Sequence, residues 1–174
     1  MCKLCETRPV YEFTNKQKVC KNCFIKWFEK KFFYTIRKFK MIKKGDKISF
    51  KENNDFRSVV LINLLKNYKN KLCIKLVSKR GKIAVPVTID GNAKIIVDAL
   101  IKKDIKELNI GPVFKNLICP LYLFLDKEVE LYANLKKLNY SKIDNKKNFL
   151  DKLEIKHPEI KWAIVSSYLK IFLK

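Results

Sequence analysis

The sequence predicts an α/β protein in which a small cysteine-bearing ribbon leads into a three-layer domain around a short, mostly parallel sheet. Three observations point there. Two closely spaced cysteine pairs open the chain around a strand-like insert. Short β-type runs then alternate with longer segments of helical apolar spacing. Finally, 48% hydrophobic residues over 174 positions are enough to build one core.

The N-terminal pattern is Cys2-x-x-Cys5, fourteen residues, then Cys20-x-x-Cys23. Two residues between thiolates let a tight turn aim both sulfurs at one ion, and two such turns complete a tetrahedral four-sulfur shell. Structural zinc is the expected occupant, although rubredoxin-type iron would look the same in sequence. Between the pairs, Val10 to Phe13 and Gln17 to Val19 read as two short strands joined by Thr14-Asn15-Lys16. So small a ribbon depends on its metal for folding energy.

A helix near 24–40 follows, because Ile25, Phe28, Phe32, Ile36 and Phe39 recur at spacings of three and four. The boundary falls near Lys43 to Gly45, dividing a ribbon with its helix (1–44) from an α/β domain (45–174). Strands are expected near 47–50, 72–77 and 82–89. Further helices are expected near 57–67, 92–107, 126–138, 146–155 and 159–173. Gly81, Gly111-Pro112 and Asp90-Gly91 read as turns.

Charge narrows the choice of partner. Thirty-nine Lys and Arg against 17 Asp and Glu give a formal +22, spread along the whole chain. Such a field favours a polyanion, nucleic acid above all. The residues expected to meet phosphates are Lys3, Arg8, Lys16, Lys18 and Lys21 on the ribbon, with Lys26, Lys30, Lys31, Arg37 and Lys38 on the first helix. Neither a membrane-spanning run nor a leader is visible, so a soluble cytoplasmic protein is expected.

Several blocks resemble one family. Cys2, Cys5, Val19-Cys20-Lys21-Asn22-Cys23-Phe24, Phe28-Glu29 and Thr35-Ile36-Arg37-Lys38 are similar to the zinc-binding N-terminus of the PP-loop ATPases that 2-thiolate tRNA uridines. The likeness continues through Gly45-Asp46-Lys47-Ile48 and the run from Asp90 to Asp104. It resumes at Pro120-Leu121-Tyr122, at Asp126 to Ala133, and at Leu153 to Lys161 around His157-Pro158. It implies a reduced PP-loop domain, tRNA as a partner and descent from enzymes that adenylate a uridine.

The family's phosphate loop does not survive in that frame. Its SGGKDS hexapeptide falls on Asn53, Asn54, Asp55, Phe56, Arg57 and Ser58, which lack both glycines and the lysine and add an aspartate where phosphate would sit. Of this loop, Arg57 alone keeps the charge to meet an anion. The second nucleotide segment falls on Pro86 to Gly91 and keeps one aspartate. The central sulfur-handling cysteines are absent, leaving Cys73 and Cys119 as isolated, structural residues, and the segment between Leu65 and Ile83 is shorter than in active members. Neither ATP nor an iron–sulfur cluster is therefore expected.

The resemblance thus implies a degenerate accessory subunit that binds tRNA or an active paralogue. Two rivals stand beside it: an active subunit whose nucleotide site a partner completes, and a stand-alone ribbon protein that binds DNA. The only histidine, His157, reads as part of a helix start, and the acids Asp126, Glu128 and Glu130 as the first turn of a helix.

Overall fold

The computed structural model describes residues 1–103, 108, 111–141 and 149–172, with the side chain of 172 left aside. Its N-terminal hairpin pairs β1 (Tyr11–Glu12) with β2 (Lys18–Val19) in antiparallel register, Tyr11 opposite Val19. The chain then enters α1 (Lys21–Lys38), whose buried face is Phe24, Phe28, Phe32, Thr35 and Ile36. The stripe therefore starts at Phe24, not at the expected Ile25. A spacing of four stacks Phe24, Phe28, Phe32 and Ile36 along one line, and Phe24 closes on Tyr11 of the ribbon with ring centroids 5.1 Å apart.

Beyond α1 come β3 (Lys47–Phe50), α2 (Phe56–Tyr68), β4 (Lys75–Leu76), β5 (Lys82–Ala84) and α3 (Ile89–Ile101). A hairpin of β6 (Val113–Phe114) and β7 (Leu117–Ile118) leads to α4 (Asp126–Leu135), α5 (Phe149–Lys156) and α6 (Ile160–Phe172). The five-stranded sheet runs β4-β3-β5-β7-β6, parallel except for the antiparallel β6 at its edge.

From β3 the chain moves outward to β4, returns past β3 to β5, and then moves the other way to β7. Right-handed crossovers in opposite directions place α2 and α3 on opposite faces. The packing agrees: α2 and α1 lie against α4, whereas α3 and α5 lie against α6. The result is an α/β three-layer domain with a mostly parallel sheet, as the sequence predicts. The order reverses between β3 and β5, and such a switch point opens a crevice beyond the carboxyl ends of the strands.

Differences from expectation have local causes. Extended backbone between 72 and 77 shortens to Lys75–Leu76 because Cys73 sits in a turn at φ 51°. The strand expected over 82–89 ends at Ala84, and the remainder runs on to the start of α3. Asp90-Gly91 lies inside the first turn of α3, not in a separate turn. The β6–β7 hairpin was not expected, since Lys115 takes its positive φ of 51° without a glycine signal. Residues 104–107, 146–148 and 173 of three expected helices lie outside the described residues.

Gly81 has a stricter reason than a turn. A Cβ there would come within 2.4 Å of the Lys47 carbonyl oxygen, so only glycine lets β5 approach β3. Among the described residues, no helix is long and apolar enough to cross a membrane.

Candidate metal centre and the strand–helix junction

The four N-terminal cysteines converge. Cys5 Sγ lies 3.6 Å from Cys2 Sγ, 3.4 Å from Cys20 Sγ and 3.7 Å from Cys23 Sγ. All four sulfurs fall within 4.8 Å of one another. Metal–sulfur bonds of about 2.3 Å at tetrahedral angles imply sulfurs about 3.8 Å apart, so the donor set fits a single ion. Cys20 is also the N-cap residue of α1, which fixes one knuckle to the helix.

Hydrogen bonds among the sulfurs push Cys20 and Cys23 in opposite directions. A hydrogen bond with the Thr7 hydroxyl, then the Cys23 backbone and the Cys5 thiol, bring Cys20 down to about 6. Cys23 is pushed up to about 12, first by Cys20 and then by Cys5. Of these two, Cys20 gives up its proton readily and Cys23 with difficulty. A bound cation would hold all four as thiolates.

The junction between β3 and α2 is the second candidate. Here the sequence offers Asn53 to Ser58, and the structure shows a capped helix start. Asp55 is the N-cap of α2. Its Oδ1 accepts from the backbone N–H of Arg57 at 3.0 Å and of Ser58 at 3.1 Å, and its Oδ2 accepts from the Ser58 hydroxyl at 2.5 Å. These are the donors that a helix N-terminus offers to an anion, and a carboxylate of the same chain takes them. Phe56 is buried, while Asn53 and Asn54 are exposed, Asn54 donating to the Ser141 hydroxyl at 2.9 Å.

Arg57 is not available to an anion, contrary to expectation. Its guanidinium engages Asp126 in a bidentate pair, with Nε 2.7 Å from Oδ1 and Nη2 on Oδ2. That hydrogen-bonded pair holds the guanidinium above its ordinary value. Asp126 also accepts from the Thr88 hydroxyl at 2.7 Å, and its backbone N–H donates to Asp90 Oδ2 at 2.7 Å.

From Asp90 the network runs to Lys161, whose side chain is 5% exposed. Lys161 Nζ lies 2.6 Å from Asp90, 2.6 Å from Asp151 and 2.7 Å from Glu154. These carboxylates are spaced like ligands to a metal ion, and an ammonium sits among them. Burial alone would lower Lys161, but bonds to Asp151, Asp90 and Glu154 raise it. Burial, then the nearby Asp126, raise Asp90. Thus α2, α3 and α4 each meet the crevice with an aspartate, Asp55, Asp90 and Asp126, at or beside their positive ends.

The basic residues divide. Lys3, Arg8, Lys16, Lys18, Lys21, Lys26, Lys30, Arg37 and Lys38 are exposed, Lys18 standing 3.5 Å from Glu12. Lys31 is the exception and corrects the expected list. Its side chain is 15% exposed, its Nζ is 2.8 Å from Glu128 Oε2, and it lies over the rings of Trp27 and Phe124. Glu128 in turn caps α4 by accepting from Leu125 N–H at 2.9 Å. The acids of the α4 first turn therefore do more than meet the helix dipole: Asp126 and Glu128 hold cations from α2 and α1.

Cys73 is exposed and Cys119 buried. Burial pushes the Cys119 thiol up to about 12. Neither joins a group of three or more metal-ligating side chains among the described residues.

Fold and site together define an α/β protein with a four-cysteine N-terminal centre and a self-neutralised crevice at the switch point of its sheet. The fold is similar to that of the U34-tRNA thiolase NcsA from Methanococcus maripaludis, solved with its [4Fe-4S] cluster. The TM-score is 0.79 at 19% identity, covering 98% of this chain and 87% of that one. No protein-family model matches the sequence, and no curated protein does. The solved structure overturns the expectation against an iron–sulfur cluster. A protein of this fold carries one, this chain gathers four cysteines, and thiolates serve iron–sulfur clusters as well as zinc.

Proposed function

We propose that the protein is a tRNA-binding relative of the uridine thiolases that acts as an accessory subunit, without a phosphate-binding loop of its own. The observation that carries this reading is Asp55. On a strand–helix frame where PP-loop enzymes seat ATP phosphates, its carboxylate takes the Arg57 and Ser58 amides, and Arg57 is tied to Asp126. The net charge of +22 supports a polyanionic partner, and the likeness to a tRNA thiolase supports tRNA as that partner.

In this reading residues 1–44 form the metal-bearing module and 45–174 the α/β platform. The four cysteines hold a metal centre, and combined zinc, iron and sulfide analysis of the purified protein identifies it. Binding of labelled tRNA, followed by anisotropy over a salt series, tests the function. A steep linear fall of log K with log [salt] is expected, by about 0.7 to 0.9 per phosphate contact. A flat plot, or preference for duplex DNA in competition, contradicts it.

A further inference from the structure

We infer that a groove beside the C-terminal half of α1 is a docking site for an unpaired RNA segment, with its phosphates on a ring of lysines and a base stacked on Tyr34. This deepens the proposed function and rests on it for the identity of the natural RNA.

The groove has a volume of about 950 Å³. Its walls come from α1, from the turn after it and from the loop between α2 and β4. They carry Lys30, Arg37, Lys40, Lys43 and Lys71, and among the described residues no acid lines them. None of the five cations is ion-paired among the described residues. The acid adjoining the rim, Asp46, is already committed: its Oδ2 accepts from the Lys43 backbone and pairs with Lys82 at 2.7 Å. Five cations around one concavity, of which only Lys43 feels the nearby Asp46, focus a positive field that an anionic strand would relieve.

Aromatic rings supply the second half of the argument. Tyr34 is 46% exposed, with Lys38 Nζ 5.7 Å from its ring. Phe33 is fixed by an edge contact with Tyr68 at 5.0 Å and lies under Lys71 Nζ at 4.2 Å. Exposed rings flanked by cations form the stacking platform of proteins that bind single strands, because every base has a face to offer. A duplex hides those faces, and a flat membrane surface does not fill a concave wall.

Lys40 makes the site separable from the fold. It follows α1 at φ 48°, with its N–H on the Arg37 carbonyl at 3.2 Å, and Met41 N–H reaches the Ile36 carbonyl at 3.0 Å. Glycine meets such a left-handed position with less strain, so Lys40→Gly removes a phosphate contact while the fold is kept or strengthened.

The test is anisotropy with two probes, a short labelled oligouridylate and labelled tRNA, on the parent protein and on Lys40→Gly, Tyr34→Ala and Tyr34→Phe. Tyr34→Ala should weaken binding roughly five- to hundred-fold, and Tyr34→Phe should stay within about two-fold, since stacking needs the ring and not the hydroxyl. Lys40→Gly should lower the salt slope by about 0.7 with an unchanged or raised Tm. If Tyr34→Ala and Lys40→Gly bind oligouridylate like the parent, the groove proposal falls, whatever tRNA does. If oligouridylate binding is Tyr34-dependent but tRNA does not bind, the groove stands and the tRNA reading falls. Binding to neither RNA, or Tyr34-independent binding to anionic vesicles in place of RNA, overturns the groove as well.

Discussion

Two sets of closely spaced ligating side chains face opposite electrostatic problems. Cys2, Cys5, Cys20 and Cys23 bring four sulfurs together, and Cys5 Sγ meets three sulfurs and the Thr7 hydroxyl. Asp90, Asp151 and Glu154 bring three carboxylates together, and Lys161 Nζ stands among them within 2.7 Å of each. Donor sets of either kind call for a cation. The ribbon must take one from solution, whereas the crevice draws one from its own chain. The same economy holds at α2, where Asp55 supplies the anion that a helix N-terminus attracts.

The largest effect should come from the set that depends on an outside cation. Cys20→Ser should release the metal and unfold the ribbon, read as lost metal stoichiometry and lost ellipticity. Retained stoichiometry would break the four-thiolate assignment. Next comes Lys161→Met, which removes the ammonium shared by Asp90, Asp151 and Glu154, while Glu154 keeps Lys127 at 3.3 Å and Asp90 keeps the Asp126 N–H at 2.7 Å. A loss of roughly 2–3 kcal/mol in urea unfolding is expected, since the carboxylates are partly exposed. Manganese should raise the Tm of that variant and not of the parent, and equal response in both would show that the ammonium is not acting as the built-in cation.

Asp55→Ala is smaller, about 1 kcal/mol for a lost helix cap. A neutral result would mean that the amide contacts of Asp55 do not form in solution. Least in energy, the isolated cysteines should differ in reactivity. An alkylating reagent should label Cys73, which is exposed, and reach Cys119 only on unfolding. Because burial raises Cys119 to about 12 from an ordinary 9.0, its stabilising contribution is full below 9 and is lost as pH climbs towards 12. Alkaline unfolding that is unchanged by Cys119→Ala would contradict this.

Much of the frame is legible in the sequence because it is set by local periodicity. The paired cysteines, the aromatic stripe of α1 and the β3-to-α2 junction each depend on residues a few positions apart. The charge partners are not legible in that way. Arg57 and Asp126 are 69 positions apart, and Lys31 and Glu128 are 97 apart, so only the packing of α4 against α2 and α1 reveals that they meet. Read alone, Lys31 belongs with its exposed neighbours on α1, and Arg57 reads as a free anion contact. The β6–β7 hairpin escaped for a different reason: its turn places Lys115, not glycine, at positive φ. Metal identity is a third case, since four thiolates at this spacing are open to zinc and to iron alike.

The central claim is that the anion site at the strand–helix junction is already taken by Asp55, with Arg57 committed to Asp126. Titration of the purified protein with Mg-ATP in a calorimeter, with the mixture then assayed for AMP, tests it most directly. The account predicts no heat of binding and no AMP. Saturable nucleotide binding, or AMP formed by this chain alone, would contradict it.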